Sequence, residues 1–420
     1  MSLYYGSLYW PATWPNPPRY PSLSGTDRCK ALVIGGGMSG SLCGLLLARS
    51  GIDAVLIEQN EVASGSSLAN TGLIQYSNDI MLSHLAEQIG ERNAVLFYKE
   101  CKDAVLHLAR IAETLPRDVG FKLRSSLYMA SSKDDVAALR REYEMLDRFG
   151  FGAEWWDGRR IEENFPFRRE AAIVTRGDAE MNPYRFVHAV VEEAAKQGLR
   201  VYEKTPMLSV QGERGRFVVR AGRGEIRADN LVYAVGYTPE AAGSALFAAR
   251  LNRSYAMATK PLEGLSEWHQ RFLLWETSRP YLYARTTEDG RIVAGGLDEP
   301  LRRPVLSDSE LRQRTLRLRS DIGQLFPGLE PEPEYEWCAT FGESADNLPW
   351  LGEDPRRPGT FYALGYGGNG TVYGAIAARL IRDSLIGEKS PVAPIVRPDR
   401  PIPIASAAAA RARRLAKSGR

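Results

Sequence analysis

The 420-residue chain is poor in the side chains that usually build metal centres or disulfide frameworks. Its four cysteines, Cys29, Cys43, Cys101 and Cys338, have neither the spacing of zinc ligands nor that of a disulfide pattern. The four histidines are scattered and form no ligand pair. We therefore predict a fold without a metal site or a disulfide, which is typical of proteins in a reducing compartment.

An excess of charge of one sign is also lacking, since the formal net charge is only +3. Five basic residues lie among the last ten positions, and without them the net charge is −2. This balance excludes a nucleic-acid-binding surface on the body of the chain. The tail is expected to be a solvated terminus, and the alternative is a short basic helix at a membrane surface.

The chain lacks the patterns that direct a protein into or across a membrane. The N-terminus has no basic segment followed by an apolar run, so we expect no signal peptide and a cytoplasmic location. One uncharged run of 18 residues, 31–48, approaches the length of a membrane span. It contains five glycines and two serines, and a strand–turn–helix unit accounts for each glycine. We therefore predict no integral membrane segment.

This run contains the clearest functional motif. An apolar strand over 31–34 is predicted to lead into Gly35, Gly37 and Gly40, which have the spacing G-x-G-x-x-G. Such glycines allow a tight turn, a close approach of the backbone to a pyrophosphate, and packing of the next helix on the sheet. A helix and a second apolar strand then deliver Glu58, whose carboxylate can accept hydrogen bonds from a ribose. The pattern predicts a dinucleotide site rather than a turn that binds nothing.

The N-terminal arm, residues 1–26, is rich in tyrosine, tryptophan and proline. The prolines disfavour regular structure, while the aromatic side chains carry much apolar area. Such area indicates an arm that lies across a domain or a partner subunit rather than a disordered leader.

Further glycine-rich and small-residue segments give the chain a family resemblance. They are ASGSSLANTG from residue 63, LVYAVG from 231, WCATFGESADNLPWLG from 337 and LGYGGNGTVYG from 364. Together with VIGGGMSG and Glu58, they resemble the D-amino-acid-oxidase-like superfamily of FAD-dependent oxidoreductases. This superfamily includes glycine, sarcosine and γ-glutamylputrescine oxidases. The resemblance covers about residues 28–390.

The resemblance implies FAD as the cofactor, because in this superfamily the C-terminal glycine-rich segment returns to the flavin. The nucleotide motif would hold the pyrophosphate and the adenosine ribose, and the later segments would lie along the adenine and the isoalloxazine. The residues expected to bind FAD are Gly35, Gly37, Met38, Ser39, Gly40, Glu58, Gln59, Ser66, Ser67, Asn70, Gly72, Met207, Ala234, Gly236, Gly368, Asn369, Gly370 and Thr371.

The resemblance also implies the fold class, α/β (α+β), in which a Rossmann-like FAD-binding domain carries an inserted antiparallel-sheet substrate domain. The expected divisions are the arm (1–26), an FAD-binding domain (27–95, 171–250 and 331–390), a substrate domain (96–170 and 251–330) and a C-terminal tail (391–420).

The substrate side is predicted from strand alternation, which places Tyr281, Tyr283 and Arg285 on one sheet face. Tyr281 matches, by resemblance, a substrate-facing tyrosine of D-amino-acid oxidases. Arg285 is expected to bind an acidic group of the substrate. The alternatives are that this face only packs on helices, and that Arg285 anchors the hairpin turn at 289–290 with its head in solvent.

Two residues that are typical of the family are missing from the sequence. The carboxylate-binding arginine of D-amino-acid oxidases would fall near Ala339 or Thr340, and sarcosine oxidases carry a lysine near Val372 that is thought to assist oxygen. Neither residue is present. The substrate and the electron acceptor are therefore left open. Cys338 lies close to the position of covalent FAD attachment in sarcosine oxidases, but we interpret it as a buried structural cysteine.

The resemblance implies a small-molecule amine or amino-acid-like substrate, whose C–N bond is oxidised by hydride transfer to flavin N5. One alternative is oxidation of a 2-hydroxy acid or glycerol phosphate, with Lys260 and Arg285 binding the anion. Another is a flavin-bearing subunit of a larger complex, with the N-terminal arm as its docking element. A homo-oligomer or an electron-acceptor partner also stays open.

Overall fold

The computed structural model describes residues 3–237, 249–301 and 307–401, and this part of the chain contains two large mixed sheets. The strands are β1 (Tyr4–Gly6), β2 (Ser24–Ile34), β3 (Ala54–Ile57), β4 (Leu73–Ile74), β5 (Lys122–Met129), β6 (Glu154–Asp157), β7 (Ala171–Glu180), β8 (Arg200–Tyr202), β9 (Met207–Gln211), β10 (Phe217–Ala221), β11 (Arg223–Tyr233), β12 (Arg250–Thr259), β13 (Leu273–Glu276), β14 (Leu282–Thr286), β15 (Ile292–Pro300), β16 (Pro333–Glu343), β17 (Trp350–Glu353) and β18 (Thr360–Leu364). The helices are α1 (Met38–Arg49), α2 (Leu82–Ile89), α3 (Glu91–Glu113), α4 (Val136–Arg148), α5 (Gly158–Glu162), α6 (Pro183–Lys196), α7 (Asp308–Leu325), α8 (Gly370–Ile386) and α9 (Ala393–Val396). Within the three described ranges, no helix has the length and apolar character needed to span a bilayer. The basic tail at 411–420 lies outside the described residues.

The predicted strand–turn–helix unit is formed by β2, α1 and β3. Strand β2 begins earlier than the apolar pattern predicts, because its polar first half also pairs with β11. In its apolar second half, successive side chains point to opposite faces of the sheet, and both faces are buried. Ala31 and Val33 pack with the helices on one face, whereas Leu32 and Ile34 join a second apolar cluster on the other.

The first sheet follows the order β17-β18-β11-β2-β3-β8, and β10 and β9 extend from β11. Strands β18, β11, β2, β3 and β8 are parallel, and α1 packs against α6 and α8 on one face. The carboxyl ends of parallel strands lie at one edge of a sheet. The turn after β2, Glu58 after β3 and Ala234 after β11 therefore come together at this edge.

The second sheet follows the order β1-β16-β12-β15-β14-β13-β5-β7-β4, with β6 paired to β7. Its neighbours are antiparallel except for β13 and β5. One face packs on α7 in a separate core that includes Leu282, Ala284 and Leu318. The predicted fold class, a Rossmann-like parallel sheet combined with a mainly antiparallel second sheet, is confirmed.

Two strands lie in a different sheet from the one that their predicted domain implies. Strand β7 pairs with β5, and β16 pairs with β12 over almost its whole length, so both belong to the second sheet. The predicted boundaries at 171 and 331 assign them to the FAD-binding domain. Strand β5 is continuous over Lys122–Met129, and its pairing with β7 is irregular between Arg124 and Ser125.

The described part of the N-terminal arm packs against its own chain. Strand β1 pairs with β16 and forms one edge of the second sheet. Trp10 is 2% exposed, and its indole Nε1 donates a hydrogen bond to Asn70 O at 2.5 Å. The hydroxyl of Tyr9 donates to Asp289 at 2.8 Å. These contacts fix the arm beside the segment 66–72, in which FAD-binding residues are predicted.

Replacing Trp10 with alanine should destabilise the protein by about 3–5 kcal/mol, because a fully buried indole leaves a cavity when it is removed. Chemical denaturation of the purified protein measures this loss. Leu208→Ala is the matched control, since Leu208 is 60% exposed and its loss should cost less than about 0.5 kcal/mol. Equal stability of the two variants would show that the arm is not docked in solution.

Candidate active site

A cavity of about 750 Å³ lies where the carboxyl edge of the first sheet meets the second sheet. The loops that follow β2, β3, β11 and β18 line one end, and strands β12, β14, β15 and β16 contribute to the other. Most of the residues predicted to bind FAD line this cavity. They are Gly35, Gly37, Met38, Ser39, Glu58, Gln59, Ser66, Ser67, Asn70, Met207, Ala234, Gly236, Gly368, Asn369, Gly370 and Thr371.

Gly37 leaves an opening at the N-terminus of α1. Among the described residues, the only heavy atom within 4 Å of a Cβ built on Gly37, apart from its chain neighbours, is Ser67 Oγ at 3.1 Å. Ser67 Oγ also accepts a hydrogen bond from Met38 N at 2.9 Å. The backbone at Gly37 is therefore accessible from the cavity, as a close approach to a pyrophosphate requires.

Gly40 and Gly72 do not line the cavity. A Cβ on Gly40 would lie 1.9 Å from Gly35 O, so this glycine allows α1 to pack on the turn. A Cβ on Gly72 would lie 2.3 Å from Met181 O and 2.5 Å from Arg285 Nη2, and its φ of +76° favours glycine. Close backbone packing therefore accounts for both glycines, and the expectation that they contact FAD receives no support from their positions.

Glu58 stands at the end of β3 with its carboxylate at the cavity wall. Its Oε2 accepts from Gly36 N at 2.7 Å and its Oε1 accepts from Asn60 N at 2.9 Å. Burial raises the pKa of Glu58, whereas the two backbone N–H groups lower it by stabilising the carboxylate. The side chain is held in the position where a ribose is expected.

Two tryptophans hold the loop that carries Asn70. Trp337 Nε1 donates to Ala69 O at 3.0 Å, while Trp10 holds the next carbonyl. The side-chain oxygen of Asn70 accepts from Gly72 N at 2.7 Å. The loop conformation therefore depends on β16 and on the N-terminal arm.

The C-terminal glycine-rich segment is held by residues that the sequence did not single out. The Asn369 amide donates to Ser77 O at 2.8 Å and to Asn78 Oδ1 at 3.0 Å. Gly368 N donates to Asp79 Oδ2 at 2.7 Å. The segment 77–79 thus positions the segment 368–371, in which flavin-binding residues are predicted.

Two buried hydroxyl groups at the cavity, Ser64 Oγ and Ser66 Oγ, have no hydrogen-bond partner in the described part of the chain. Buried polar groups are normally satisfied, so these two indicate a ligand with polar oxygens. Together with the accessible backbone of Gly37 and the carboxylate of Glu58, they fit a dinucleotide. The residues present at the cavity are therefore suited to FAD.

The second end of the cavity is lined by aromatic rings. Tyr281 and Tyr283 both line it, and their ring centroids are 5.7 Å apart. Trp275 also contributes, although the sequence pattern did not identify it. Burial raises the pKa of Tyr283 to about 12, and it also raises the pKa of Tyr281 well above its ordinary value. Both phenols are therefore neutral at physiological pH and can donate hydrogen bonds.

Two carboxylates near these tyrosines were also missed. Asp79 Oδ1 accepts from the Tyr281 hydroxyl at 3.4 Å, and Asp298 lines the same end of the cavity. The available signal for Asp298 was a charged residue directly after the apolar stretch of β15.

Arg285 does not line the cavity, although it leaves the same strand face as Tyr283. It is 3% exposed, and its Nε and Nη2 donate to Thr71 O at 2.9 Å and to Met181 O at 2.7 Å. The guanidinium also lies 5.3 Å from the centre of the Trp10 ring. The predicted carboxylate-binding role is therefore not supported. The alternative, in which the guanidinium of Arg285 is exposed to solvent, is wrong as well, because this group is buried.

Three other candidates lie away from the cavity wall. Lys260 pairs with Glu332 at 3.0 Å on the surface, and Cys338 packs in the core beside α7 as a free cysteine. Val372 is buried among the helices that cover the first sheet. The interpretation of Cys338 as a buried structural residue agrees with this position.

The sequence matches the DAO family, described as FAD dependent oxidoreductase, over residues 30–384. The chain therefore belongs to this family and is an FAD-dependent oxidoreductase. The resemblance inferred from the motifs is confirmed, and so is FAD as the cofactor. The individual contacts to FAD stay predictions.

Several curated proteins are similar over most of the chain. The Rieske 2Fe-2S iron-sulfur protein YhfW of Bacillus subtilis, so named by similarity, is 24% identical. The match covers 93% of this chain and 75% of YhfW. γ-Glutamylputrescine oxidoreductase of Escherichia coli is 23% identical, with 91% and 89% covered. Glycine oxidase of Geobacillus kaustophilus is 23% identical, with 85% and 93% covered. Its crystal structure has a TM-score of 0.74 at 19% identity, covering 87% of this chain and 96% of the oxidase, which establishes likeness of fold.

Gly37→Val should leave the fold intact but prevent retention of FAD, because the new side chain would project into the space beside α1. Gel filtration followed by the flavin-to-protein absorbance ratio measures this loss. Gly40→Ala is the matched variant, since its Cβ would clash with the backbone and should lower the thermal unfolding midpoint instead. Full FAD occupancy in Gly37→Val would contradict the assignment of this turn.

Arg285→Ala should cost about 3–5 kcal/mol of stability, because it leaves buried polar partners without their cation. Arg220→Ala, at an exposed position on β10, should cost less than about 0.5 kcal/mol. The ratio of kcat/KM for an amino acid and for its amide, which lacks the carboxylate, should stay the same in both variants. A selective loss for the amino acid in Arg285→Ala would restore the carboxylate-binding role.

Proposed function

We propose that this enzyme oxidises the C–N bond of a small amine or amino-acid derivative, with N5 of FAD as the hydride acceptor. The bound cofactor supplies the redox chemistry, and the protein supplies binding, orientation and electrostatics. An amine that binds as its ammonium ion first releases a proton to solvent, because the nitrogen must be neutral when the hydride leaves the adjacent carbon. The resulting imine hydrolyses in water. This chemistry requires no dedicated acid or base on the protein.

The observation that carries the proposal is the charge of the cavity wall. Among the described residues that line it, Lys204 is the only lysine or arginine, and it lies 3.6 Å from Glu61 at the nucleotide end. The aromatic end carries Asp79 and Asp298 instead. A carboxylate wall attracts an ammonium group and repels an anion. An amine therefore suits this end of the cavity better than a 2-hydroxy acid or a glycerol phosphate.

The positions of the two predicted anion-binding residues support the same choice. Lys260 is on the surface, and Arg285 is buried with its donors engaged by backbone carbonyls. Oxidation of an anionic alcohol would need cations close to the reacting carbon, and neither residue supplies one. The similarity to glycine oxidase and γ-glutamylputrescine oxidoreductase also favours amine oxidation.

The scaffold alternative receives less support. It relied on the N-terminal arm as a docking element for a larger complex, but the described part of the arm is occupied by contacts with β16 and Asn70 of the same chain. An electron-acceptor partner would have to use another surface.

Small amines should bleach the flavin absorbance of the purified holoenzyme under anaerobic conditions, because an amine substrate reduces the bound cofactor. The panel is glycine, sarcosine, putrescine and their N-methyl derivatives, compared with lactate and glycerol 3-phosphate. Dithionite provides the fully reduced control spectrum. Bleaching by a hydroxy compound and by none of the amines would overturn the proposal.

A further inference from the structure

We infer that Asp298 binds the ammonium group of the substrate, and that the substrate class is therefore a cationic amine without a carboxylate next to the reactive carbon. This inference rests on the proposed function and identifies the residue that selects for the cation.

The position of Asp298 places its carboxylate at the aromatic end of the cavity. It lies near the end of β15, where the pairing with β12 becomes irregular between Arg253 and Tyr255. The neighbouring residue Glu299 belongs to a different environment, in which it accepts from Tyr255 and pairs with Arg314. Asp298 instead lines the cavity together with Ser254.

One oxygen of this carboxylate, Asp298 Oδ1, is shielded from solvent and receives no hydrogen bond from the residues that the structure describes. A shielded carboxylate oxygen without a donor is costly, and a donor supplied by a ligand would remove that cost. An ammonium group offers both a positive charge and N–H donors, so it satisfies the oxygen better than a neutral ligand does.

The groups around Asp298 make this end of the cavity favourable for a cation. Burial raises the pKa of Asp298 to about 7, and the hydrogen bond from Ser254 lowers it. The negative charges of Asp79 and Glu343 raise the pKa of Asp298 further, and the positive charge of Arg279 lowers it. Asp298 is thus largely ionised at pH 8 and loses its charge below pH 7. The groups that face Asp298 come from four parts of the chain. They are Ser254 on β12, Asp79 before α2, Arg279 and Tyr281 before β14 with Tyr283 on it, and Glu343 on β16.

Among the residues that the structure describes, none with a positive charge lines this end of the cavity to match a carboxylate on the substrate. Arg279 is the nearest candidate, but its guanidinium lies over the Tyr281 ring at 4.5 Å and its Nη2 donates to Asp79 O at 3.0 Å. It is exposed and does not line the cavity. A zwitterionic amino acid would therefore place its acidic group beside carboxylates, which costs binding energy.

The first test measures binding of simple cations to the oxidised holoenzyme. The probes are methylammonium, isopropylammonium and tert-butylammonium, each compared with the alcohol of the same shape. Binding is followed at pH 8 by the change in the flavin absorbance spectrum. We expect at least one cation to bind and its alcohol to bind at least 30-fold more weakly. Asp298→Asn should remove this preference.

The control for charge and strand position is Glu299→Gln, which removes one carboxylate from the adjacent position of β15. It should keep the cation preference. FAD content and the thermal unfolding midpoint of both variants show whether the fold is retained. If Asp298→Asn fails to fold, Asp298→Glu provides the second test, since it keeps the charge and should keep the preference for cation over alcohol.

The second test is the pH profile of kcat/KM for the best amine substrate. Loss of the substrate's ammonium proton gives one slope that is common to all variants. In the wild type the profile should fall by about a further tenfold per pH unit below pH 7, because protonation of Asp298 removes the charge that binds the ammonium group. This additional limb should be absent in Asp298→Asn. A structural role for Asp298 would lower activity at every pH without removing the limb.

The outcomes separate this inference from the proposed function. If amines reduce the flavin but Asp298→Asn keeps its cation preference and its low-pH limb, the inference is overturned and the proposed function stands. Absence of cation binding to the wild type would also overturn the inference. If no amine reduces the flavin, the proposed function itself fails.

Discussion

Three backbone segments meet at the carboxyl edge of the first sheet, and the whole cavity depends on how closely they approach. A Cβ on Gly35 would lie 2.3 Å from Ala234 O, and one on Gly40 would lie 1.9 Å from Gly35 O. Any side chain at either glycine would separate β2, β11 and α1, because the interior cannot absorb such volume. This contact places the start of α1 beside the segment that follows β11, so that both line one cavity.

The sequence predicted those elements whose signals are local. The start of helix α7 is marked by a local signal, the capping box that Ser307 and Glu310 form. The start of helix α6 is marked in the same way, by Asn182 as its N-cap and a proline in its first turn. Sheet membership was harder, since a strand sequence carries no mark of its distant partner. The predicted domain boundaries, which follow position in the chain, therefore separate β7 and β16 from the sheet in which they pair.

The candidate site shows the same division between local and distant information. Strand alternation correctly placed Tyr283 and Arg285 on one face, but it could not show how deep each side chain lies. The guanidinium of Arg285 is held by the carbonyls of Thr71 and Met181, which come from remote parts of the sequence. Asp298 was missed for the related reason that its surroundings come from β12, β16 and the segment around Asp79.

The pairing of β1 with β16 constrains the order in which the protein can be completed during synthesis. Tyr4 pairs with Ala339, and Leu3 and Tyr4 also line the cavity. Strand β1 must therefore wait until β16 has been made before it can take its final place. This part of the cavity wall is closed by a contact between an early and a late segment of the sequence, so a product that lacks β16 cannot complete it.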